Sequence, residues 1–394
     1  MEEILIVSNY YPPEKGAAAN RIEQLALKLK QNGYKVSVVC PLANYPEGRI
    51  FQGYRGRFSV TENIDGITVK RLWIYPSNSK NVLKRILSIL SFAVCLKFYL
   101  LFSRTPKKVV VQSPPLMLSF ISVMILSLKR KKIILNVSDL WPSAAIELGA
   151  MKYGSFSHKV FIFLEQCIYK NATIILGQSE EILTHVKTIC SGKTGFLYRN
   201  FPEHKSVMPQ YSKAANQSIK IFYAGLLGVA QGVLDACEHI HTSGLHVEFH
   251  IFGDGAERKP IEAYIAAHPK KNIRFHGMLK RDVLLERLKE FDVAFVPLKM
   301  RIYGSVPSKI FEYSALGIPV LYFGGGEGEQ IVASNNLGWI APVGNFAALN
   351  SELTKIAAVD REQLLQMKRR ILQHASDNFN LEKQMQMLIG EGVF

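Results

Sequence analysis

The amino-acid sequence predicts an α/β protein with two parallel sheets, one in each half of the chain. Three observations carry that expectation. A chain of 394 residues is too long for one ordinary domain and suits two. Short apolar runs recur along it, each followed by a polar or glycine-bearing loop and then a helical pattern, as buried parallel strands and their crossovers do. That order starts at Ile4–Val7 and starts afresh at Ile219–Ala224, after a polar stretch from Asn200 to Gln217 in which hydrophobic periodicity stops. Hydrophobic residues make up 48% of the chain, enough for two packed cores, which excludes a disordered protein. Five scattered cysteines (Cys40, Cys95, Cys167, Cys190, Cys237) form no CxxC or Cys/His cluster, so reduced thiols in a cytoplasmic protein are expected and a structural zinc is not.

In the first half, Ile4–Val7 reads as a buried strand, Ser8–Asn20 as a loop of small residues, and Arg21–Gln31 as the helix that Asn32-Gly33 ends. The loop falls where ligand-binding loops fall, at the carboxyl edge of a sheet, but it is not GxGxxG, so a dinucleotide fingerprint is absent. Lys35–Cys40, Val109–Gln112, Ile133–Val137 and Thr173–Leu176 are further strands, the last closing this half, and Ser179 suits a helix cap. Segment 44–57, with Gly48, Arg49, Gly53, Arg55, Gly56 and Arg57, reads as a mobile loop or as a plain surface excursion. Asp139 and Trp141, just past Ile133–Val137, point to a pocket by the rule that ligands gather at strand ends. The alternative is an aspartate capping the next helix with the tryptophan in the core.

In the second half, Ile219–Ala224 runs into a glycine loop, Gly225–Gly232. Val247–Phe252 ends in Gly253-Asp254-Gly255, Ile273–His276 in Gly277-Met278, and Val320–Phe323 in Gly324–Glu329. Val293–Pro297 leads through Lys299 and Arg301 to Pro307–Leu316. That last stretch reads as a helix of about two and a half turns, started by Pro307 and Ser308 and stopped by Gly317 and Pro319. Lys309 and Glu312 share one face; Ile310, Phe311, Ala315 and Leu316 form the core face. A free helix start with a cation and a carboxylate one turn apart suits a nucleotide diphosphate. The amides and Lys309 would take phosphate oxygens, and Glu312 two ribose hydroxyls. An ordinary surface ion pair has the same spacing.

Charge is divided unevenly. Residues 1–200 hold 27 Lys+Arg against 12 Asp+Glu, and residues 201–394 hold 21 against 20, so the excess, +15 against +1, belongs to the first half. That half needs an acidic partner: nucleic acid, anionic lipid or a phosphorylated substrate. No basic nucleic-acid motif accompanies it, so nucleic acid is not expected. Two apolar stretches, Ile86–Phe102 and Leu116–Leu128, are edged by Lys80, Lys84, Arg85, Lys97, Arg104, Lys107, Lys108 and Lys129–Lys132. The first is interrupted by Lys97 and slightly short for a span, so both read as buried helices or as helices lying on a membrane.

Several of these segments occur together in one order: Asn200, Tyr223-Ala224-Gly225, Gly253-Asp254-Gly255, Phe275-His276-Gly277, Asp292–Pro297 and Pro307–Tyr313. In that register the chain resembles the family 4 retaining glycosyltransferases of GT-B fold over nearly its entire length. Asp139-Leu140-Trp141-Pro142 and Ala230-Gln231-Gly232 resemble a bacterial O-antigen and capsule subgroup that includes N-acetyl-L-fucosaminyl transferases. Two departures stand out. The first of the family's two glutamates falls on Gly304, and the usual Arg and Lys of the glycine loop are replaced near Leu226 and Gln231.

The resemblance implies two Rossmann-like parallel-sheet domains facing a central cleft: an acceptor domain over 1–202, a linker over 203–217 and a nucleotide-sugar domain over 218–378. A helix over 379–394 can pack back on the first domain. It implies a UDP-sugar donor with no further cofactor or metal, and a polyprenyl-diphosphate-linked saccharide acceptor. The place implied is the cytoplasm, peripherally on the inner face of an anionic membrane. The donor would meet Gly225, Gly228, Gln231, Gly253, Gly277, Met278, Pro297, Ser305, Ser308, Lys309 and Glu312. Lys309 would stabilise the leaving diphosphate, with Lys299 or Arg301 as further cations, Glu312 would hold the ribose, and Glu329 is a weaker candidate. The acceptor would meet Gly16, Ala17, Asn20, Arg21 and Trp141, with Asp139 as its base or its orienting group. Two other readings stay open: a nucleotide-sugar epimerase or hydrolase of the same build, and a non-catalytic scaffold that has lost the glutamate at Gly304.

Overall fold

The structure is a computed structural model, described here over residues 1–79, 81–203 and 218–394. Lys80 and nearly all of the expected linker at 203–217 lie outside the described residues. The chain divides into two compact units, Met1–Arg199 with Glu382–Phe394, and Asn200–Leu381.

The strands of the first unit are β1 (Glu3–Val7), β2 (Lys35–Pro41), β3 (Ser59–Ile64), β4 (Ile67–Leu72), β5 (Lys108–Ser113), β6 (Lys132–Val137), β7 (Ile174–Gly177) and β8 (Gly195–Leu197). They form one sheet in the order β3-β4-β2-β1-β5-β6-β7-β8. Every pairing is parallel except β3 with β4. That hairpin turns at Asp65-Gly66, both with positive φ (52° and 77°), the backbone that a two-residue hairpin turn demands. Thr173–Leu176 is therefore not the last strand: β8 adds beyond it, three residues too short to show a period.

Helices α1 (Ala17–Gln31), α2 (Val82–Phe102), α3 (Leu116–Leu128), α4 (Ser143–Glu147), α5 (Phe156–Asn171) and α6 (Glu180–Ile189) complete this unit's crossovers. Ser179 caps α6, accepting from the Ile182 amide at 3.1 Å. α1 starts four residues earlier than the sequence suggests, so Asn20 and Arg21 lie inside it.

α3 packs against α2 on one side and α5 on the other, and Leu116, Leu118, Val123, Ile125 and Leu126 are buried. α2 carries apolar side chains on both its packed and its exposed side. Phe92, Ala93, Leu96 and Leu100 are buried, whereas Leu83, Leu87, Leu90, Val94, Phe98 and Phe102 face solvent. At 21 residues it exceeds the apolar run that the sequence suggested, because the helix reaches back from Ile86 through Arg85 and Lys84 to Val82, and Lys97 sits on its exposed face. Among the described residues, Leu83–Phe102 is the one helix long and apolar enough, by length and composition, to cross a membrane. Phe156 and Phe163 on α5 are exposed as well.

The basic edges divide in two. Lys129 donates to the Leu100 and Ser103 carbonyls and closes the end of α2; Lys131 donates to Thr105, Lys132 to Gly392, and Lys108 pairs with Glu2. Lys84, Arg85 and Lys97 remain on the exposed side of α2.

The second unit has β9 (Ile219–Leu226), β10 (Val247–Asp254), β11 (Ile273–Gly277), β12 (Val293–Pro297), β13 (Val320–Gly324) and β14 (Gly338–Pro342). Its helices are α7 (Val233–His239), α8 (Arg258–Ala267), α9 (Arg281–Leu288), α10 (Lys309–Ser314), α11 (Glu327–Ser334), α12 (Phe346–Ala357) and α13 (Arg361–Asn378). The sheet is all parallel, in the order β11-β10-β9-β12-β13-β14. Numbered from β9 this is 3-2-1-4-5-6, the doubly wound nucleotide-binding order, whose strand order reverses between β9 and β12.

The last helix, α14 (Leu381–Gly390), and the residues after it belong to the first unit from Glu382 onward. Gln384 exchanges two hydrogen bonds with the Arg199 backbone, at 2.9 and 3.0 Å, and Leu388, Val393 and Phe394 are buried.

Candidate active site

In the second unit the loops after β9 and β12 flank the point where strand order reverses, where open α/β sheets bind ligands. Lys309 joins them. Its ammonium donates to the Ala224 carbonyl at the end of β9 and lies 4.4 Å from the centre of the Tyr223 ring. Tyr313 donates to the same carbonyl at 3.1 Å, and Tyr223 to Leu226 at 2.5 Å. Burial pulls the Lys309 ammonium down to about 8, against the pull of Glu312. It remains mostly charged at neutral pH, and one of its three protons is engaged at Ala224.

Two glycines make this possible. A Cβ on Gly225 would stand 2.1 Å from Lys309 Nζ, and one on Gly253 would stand 1.9 Å from the Gly225 carbonyl. Gly253, expected to meet the donor, thus has a packing reason to lack a side chain: the end of β10 passes against the loop.

The other donor candidates fall around this point. The Gln231 amide oxygen is buried, against Gly228, with no hydrogen-bond partner among the described residues. Pro297 ends β12, and the Ser305 amide donates to Ile302 at 3.1 Å in the loop that follows. Gly277 and Met278 end β11, Met278 with its side chain in solvent. Lys299 is tied to Asp235 at 2.8 Å, and the Arg301 side chain lies against Gly326 and the Tyr303 ring. Glu329 lies in the first turn of α11.

Three expectations change. α10 is only six residues long, and Ser308 makes no side-chain cap, because its backbone is already helical (φ −60°, ψ −20°) instead of the extended form from which a cap side chain reaches the first amides. Lys309 and Glu312 do not pair. Glu312 accepts instead from Arg281, at the start of α9, at 2.6 Å. Arg281 lies 31 residues upstream and carries no local signal, so sequence spacing misses it. Among the described residues no group of three or more His, Cys, Asp or Glu gathers as a metal site would.

In the first unit, Gly16 stands before α1, Ala17 opens it and Asn20 is exposed on its first turn. The loop before them is held by residues that the sequence does not single out. Buried Glu14 accepts from the amides of Tyr11, Asn44 and Tyr45, which ties this loop to the start of segment 44–57. The Phe51 amide closes on Ala43 at 2.9 Å, so that segment is anchored within its length as well. Buried Arg71 bonds Glu62 at 2.5 Å, the Pro41 carbonyl at 3.3 Å and the Pro12 carbonyl.

Arg21, expected to touch the acceptor, is 5% exposed. Its guanidinium donates to Asn136 at 2.8 Å, the Tyr198 carbonyl at 2.9 Å and Gln178 at 3.3 Å, and burial lowers it to about 10. It braces the ends of β6, β7 and β8 rather than offering itself to a ligand. Asp139 is different. Burial raises its carboxyl to about 6, only partly opposed by Arg21, and it makes no hydrogen bond to a described residue. Trp141 is half-buried with its ring 6.1 Å from that of Phe161. A half-buried carboxyl with a raised pKa, two residues before a half-buried indole and just past β6, suits an orienting or proton-accepting group.

The two parallel-sheet Rossmann-like units define a GT-B fold. Residues 219–358, from β9 through α12, match the family model described as glycosyl transferases group 1, which supports a glycosyltransferase. The chain is 25% identical to the probable glycosyltransferase WbjE of Pseudomonas aeruginosa, over 97% of this chain and 96% of that one. It is 22% identical to the putative colanic acid biosynthesis glycosyl transferase WcaI of Escherichia coli (strain K12), over 80% and 81%. The structure of Anabaena HepE in complex with UDP and glucose superposes with a TM-score of 0.67 at 14% identity, covering 100% of this chain and 99% of that one.

Proposed function

We propose that the chain is a retaining, metal-independent glycosyltransferase of bacterial surface-polysaccharide synthesis. It moves N-acetyl-L-fucosamine or a related amino sugar from a UDP-sugar to a polyprenyl-diphosphate-linked saccharide. The observation that carries this is Lys309 beneath Gly225, at the point where strand order reverses in the unit that bears the family match. The cation missing from the glycine loop is supplied from below it. Breaking the anomeric bond builds charge on the diphosphate, and a fixed ammonium poised there stabilises that charge. Glu312 holds the ribose, and the base pairs with the backbone at Gly277 and Met278. The departing phosphate oxygen accepts the acceptor's proton, and Asp139 orients the acceptor in the first unit. The name of WcaI supports the polysaccharide setting, and the UDP and glucose bound to HepE support the donor class.

The acceptor class places the enzyme at the inner face of a membrane. The exposed face of α2 supports this. Large apolar side chains cover both sides of this helix, and the side away from α3 is open, as at a surface that meets a partner or a membrane. Lys84, Arg85 and Lys97 flank that side and favour an anionic surface, each by about 1 kcal/mol when close to it. Helix α3, the second expected contact, is core, so the contact narrows to α2 with Phe156 and Phe163 of α5.

The test is to incubate the protein with UDP-, GDP- and dTDP-sugars, with and without lipid-diphosphate saccharides from a polysaccharide-producing cell, and to follow nucleotide release. Release of UDP that requires the lipid acceptor is the expected result. Release without any acceptor would favour the hydrolase or epimerase reading, and binding without release the scaffold.

A further inference from the structure

The first unit contains a pocket of about 360 Å³ that the candidate residues above do not use. It is lined by Leu42, Tyr54, Arg55, Arg57, Phe58 and Trp73 among others. Leu42 follows β2 and Trp73 follows β4, and the Leu42 amide donates to Leu72 at 2.8 Å. The pocket thus lies at the carboxyl ends of two parallel strands, the edge at which α/β sheets receive ligands.

Its lining is unusual for a surface left in water. The Phe58 and Trp73 rings are nearly parallel, 8° apart with centres at 6.2 Å, and they are 70% and 37% exposed. Arg55 and Arg57 are exposed beside them. Arg55 donates to the Ile50 carbonyl at 3.2 Å, while the Arg57 guanidinium makes no hydrogen bond or ion pair to a described residue. Among the described residues no carboxylate lines the pocket. Glu62, behind the lining, accepts from Tyr54 at 3.1 Å and pairs with Arg71. One wall is braced as well: Arg71 lies 5.0 Å from the Tyr54 ring centre and reaches the Pro12 carbonyl, so pocket and acceptor loop share one strut.

An aromatic platform, two arginines and no acid select a flat-faced, anionic ligand. Stacking alone would admit a nucleobase. A base, however, is read at its edges by both donors and acceptors, and the side chains here supply donors almost exclusively. We propose that this pocket binds the saccharide of a phosphate-bearing acceptor. A pyranose ring lies on Phe58 and Trp73, and the phosphate is held by Arg57 with Arg55, whose planar forks suit phosphate oxygens. The proposal rests on the reading of the first unit as the acceptor side, and it names the class of group recognised there: a sugar attached to phosphate.

The experiment uses the full chain labelled with 5-fluorotryptophan. The chain has three tryptophans, Trp73, Trp141 and Trp339, and Trp73→Phe assigns the first. Its fluorine resonance is followed during titration with α-D-glucose 1-phosphate, D-glucose, inorganic phosphate and UMP. Expected is a saturable shift of Trp73 with the sugar phosphate, and affinities weaker by about tenfold or more for glucose or phosphate alone. Arg57→Gln is expected to weaken the sugar phosphate by about tenfold while UDP-sugar binding, measured by calorimetry, stays unchanged. A silent Trp73, an equal response to neutral glucose, a stronger response to UMP, or an Arg57→Gln protein that binds as well as the parent would each overturn the proposal. The readout needs no sugar transfer. An active transferase with a silent Trp73 therefore sinks the pocket alone, and a responsive Trp73 in a protein that transfers nothing sinks the function alone.

Discussion

Replacing Asp139 by asparagine should stabilise the protein, and by an amount that depends on pH. Burial raises the Asp139 carboxyl from 3.8 to about 6. Between those values the folded chain holds a proton that the unfolded chain has released, so stability falls as pH rises through the window. Above it the whole cost is present: about two units at 1.36 kcal/mol each, or about 3 kcal/mol as an upper figure. Asparagine has nearly the same shape and no charge to desolvate. The variant should therefore gain up to about 3 kcal/mol at pH 8 and well under 1 kcal/mol at pH 4, where wild-type Asp139 is protonated in the folded state. For a unit of this size each kcal/mol is worth about 2–4 °C, so parallel melts at the two pH values resolve the difference. Acceptor use should fall in the same variant while UDP-sugar binding holds. A gain of equal size at both pH values, or none at pH 8, would refute the reasoning, because it would mean that the carboxylate is solvated and costs nothing.

Lys309→Met should lower turnover by about 100-fold or more while weakening donor binding less, since the ammonium meets most charge in the transition state. Normal turnover at saturating donor would pass the role to Arg301 or Lys299. In the parent protein, UDP-sugar affinity should decline above pH 8 as Lys309 loses its proton, and calorimetry of the methionine variant should lose that decline. Glu312→Gln should weaken the donor by roughly 1.5–3 kcal/mol without unfolding the protein, because a hydrogen bond to a charged group is lost; unchanged affinity removes Glu312 from the site. Leu87→Glu with Phe98→Glu should abolish salt-sensitive co-sedimentation with vesicles containing phosphatidylglycerol, leaving the melt of the protein unaltered. Parent protein that ignores both lipid charge and salt would dispose of the membrane contact.

Much of the frame was legible because parallel strands buried on both faces write themselves as apolar runs. β1, β6, β9 and β12 could be found that way, and the loops after them named as ligand loops by position alone. What escaped did so for identifiable reasons. β3 alternates exposed and half-buried residues and β4 carries Lys70 and Arg71 among its apolar ones, so neither writes an apolar run, and the Asp65-Gly66 turn between them sits among polar residues. β8 has three residues and no period. The apolar run of α2 reads as slightly short when it is taken from Ile86, yet the helix starts at Val82 and holds Lys84, Arg85 and Lys97 on its exposed side.

The sequence by itself determined the fold class, the two-unit organisation, and the pairing of glycine loops with strand ends, because these follow from local periodicity and backbone chemistry. Only the tertiary structure decided what the singled-out side chains touch. Arg21 and Lys309 are both cations beside a predicted ligand loop. Folding sends one into a nest of carbonyl and amide oxygens and sets the other under a glycine. Glu312 has its lysine three residues away in sequence, but its partner is Arg281 on another helix. The aromatic pocket joins residues from the ends of two strands and the loop between β2 and β3. Contacts of that kind depend on which chain segments packing brings together, and no spacing within one segment encodes them.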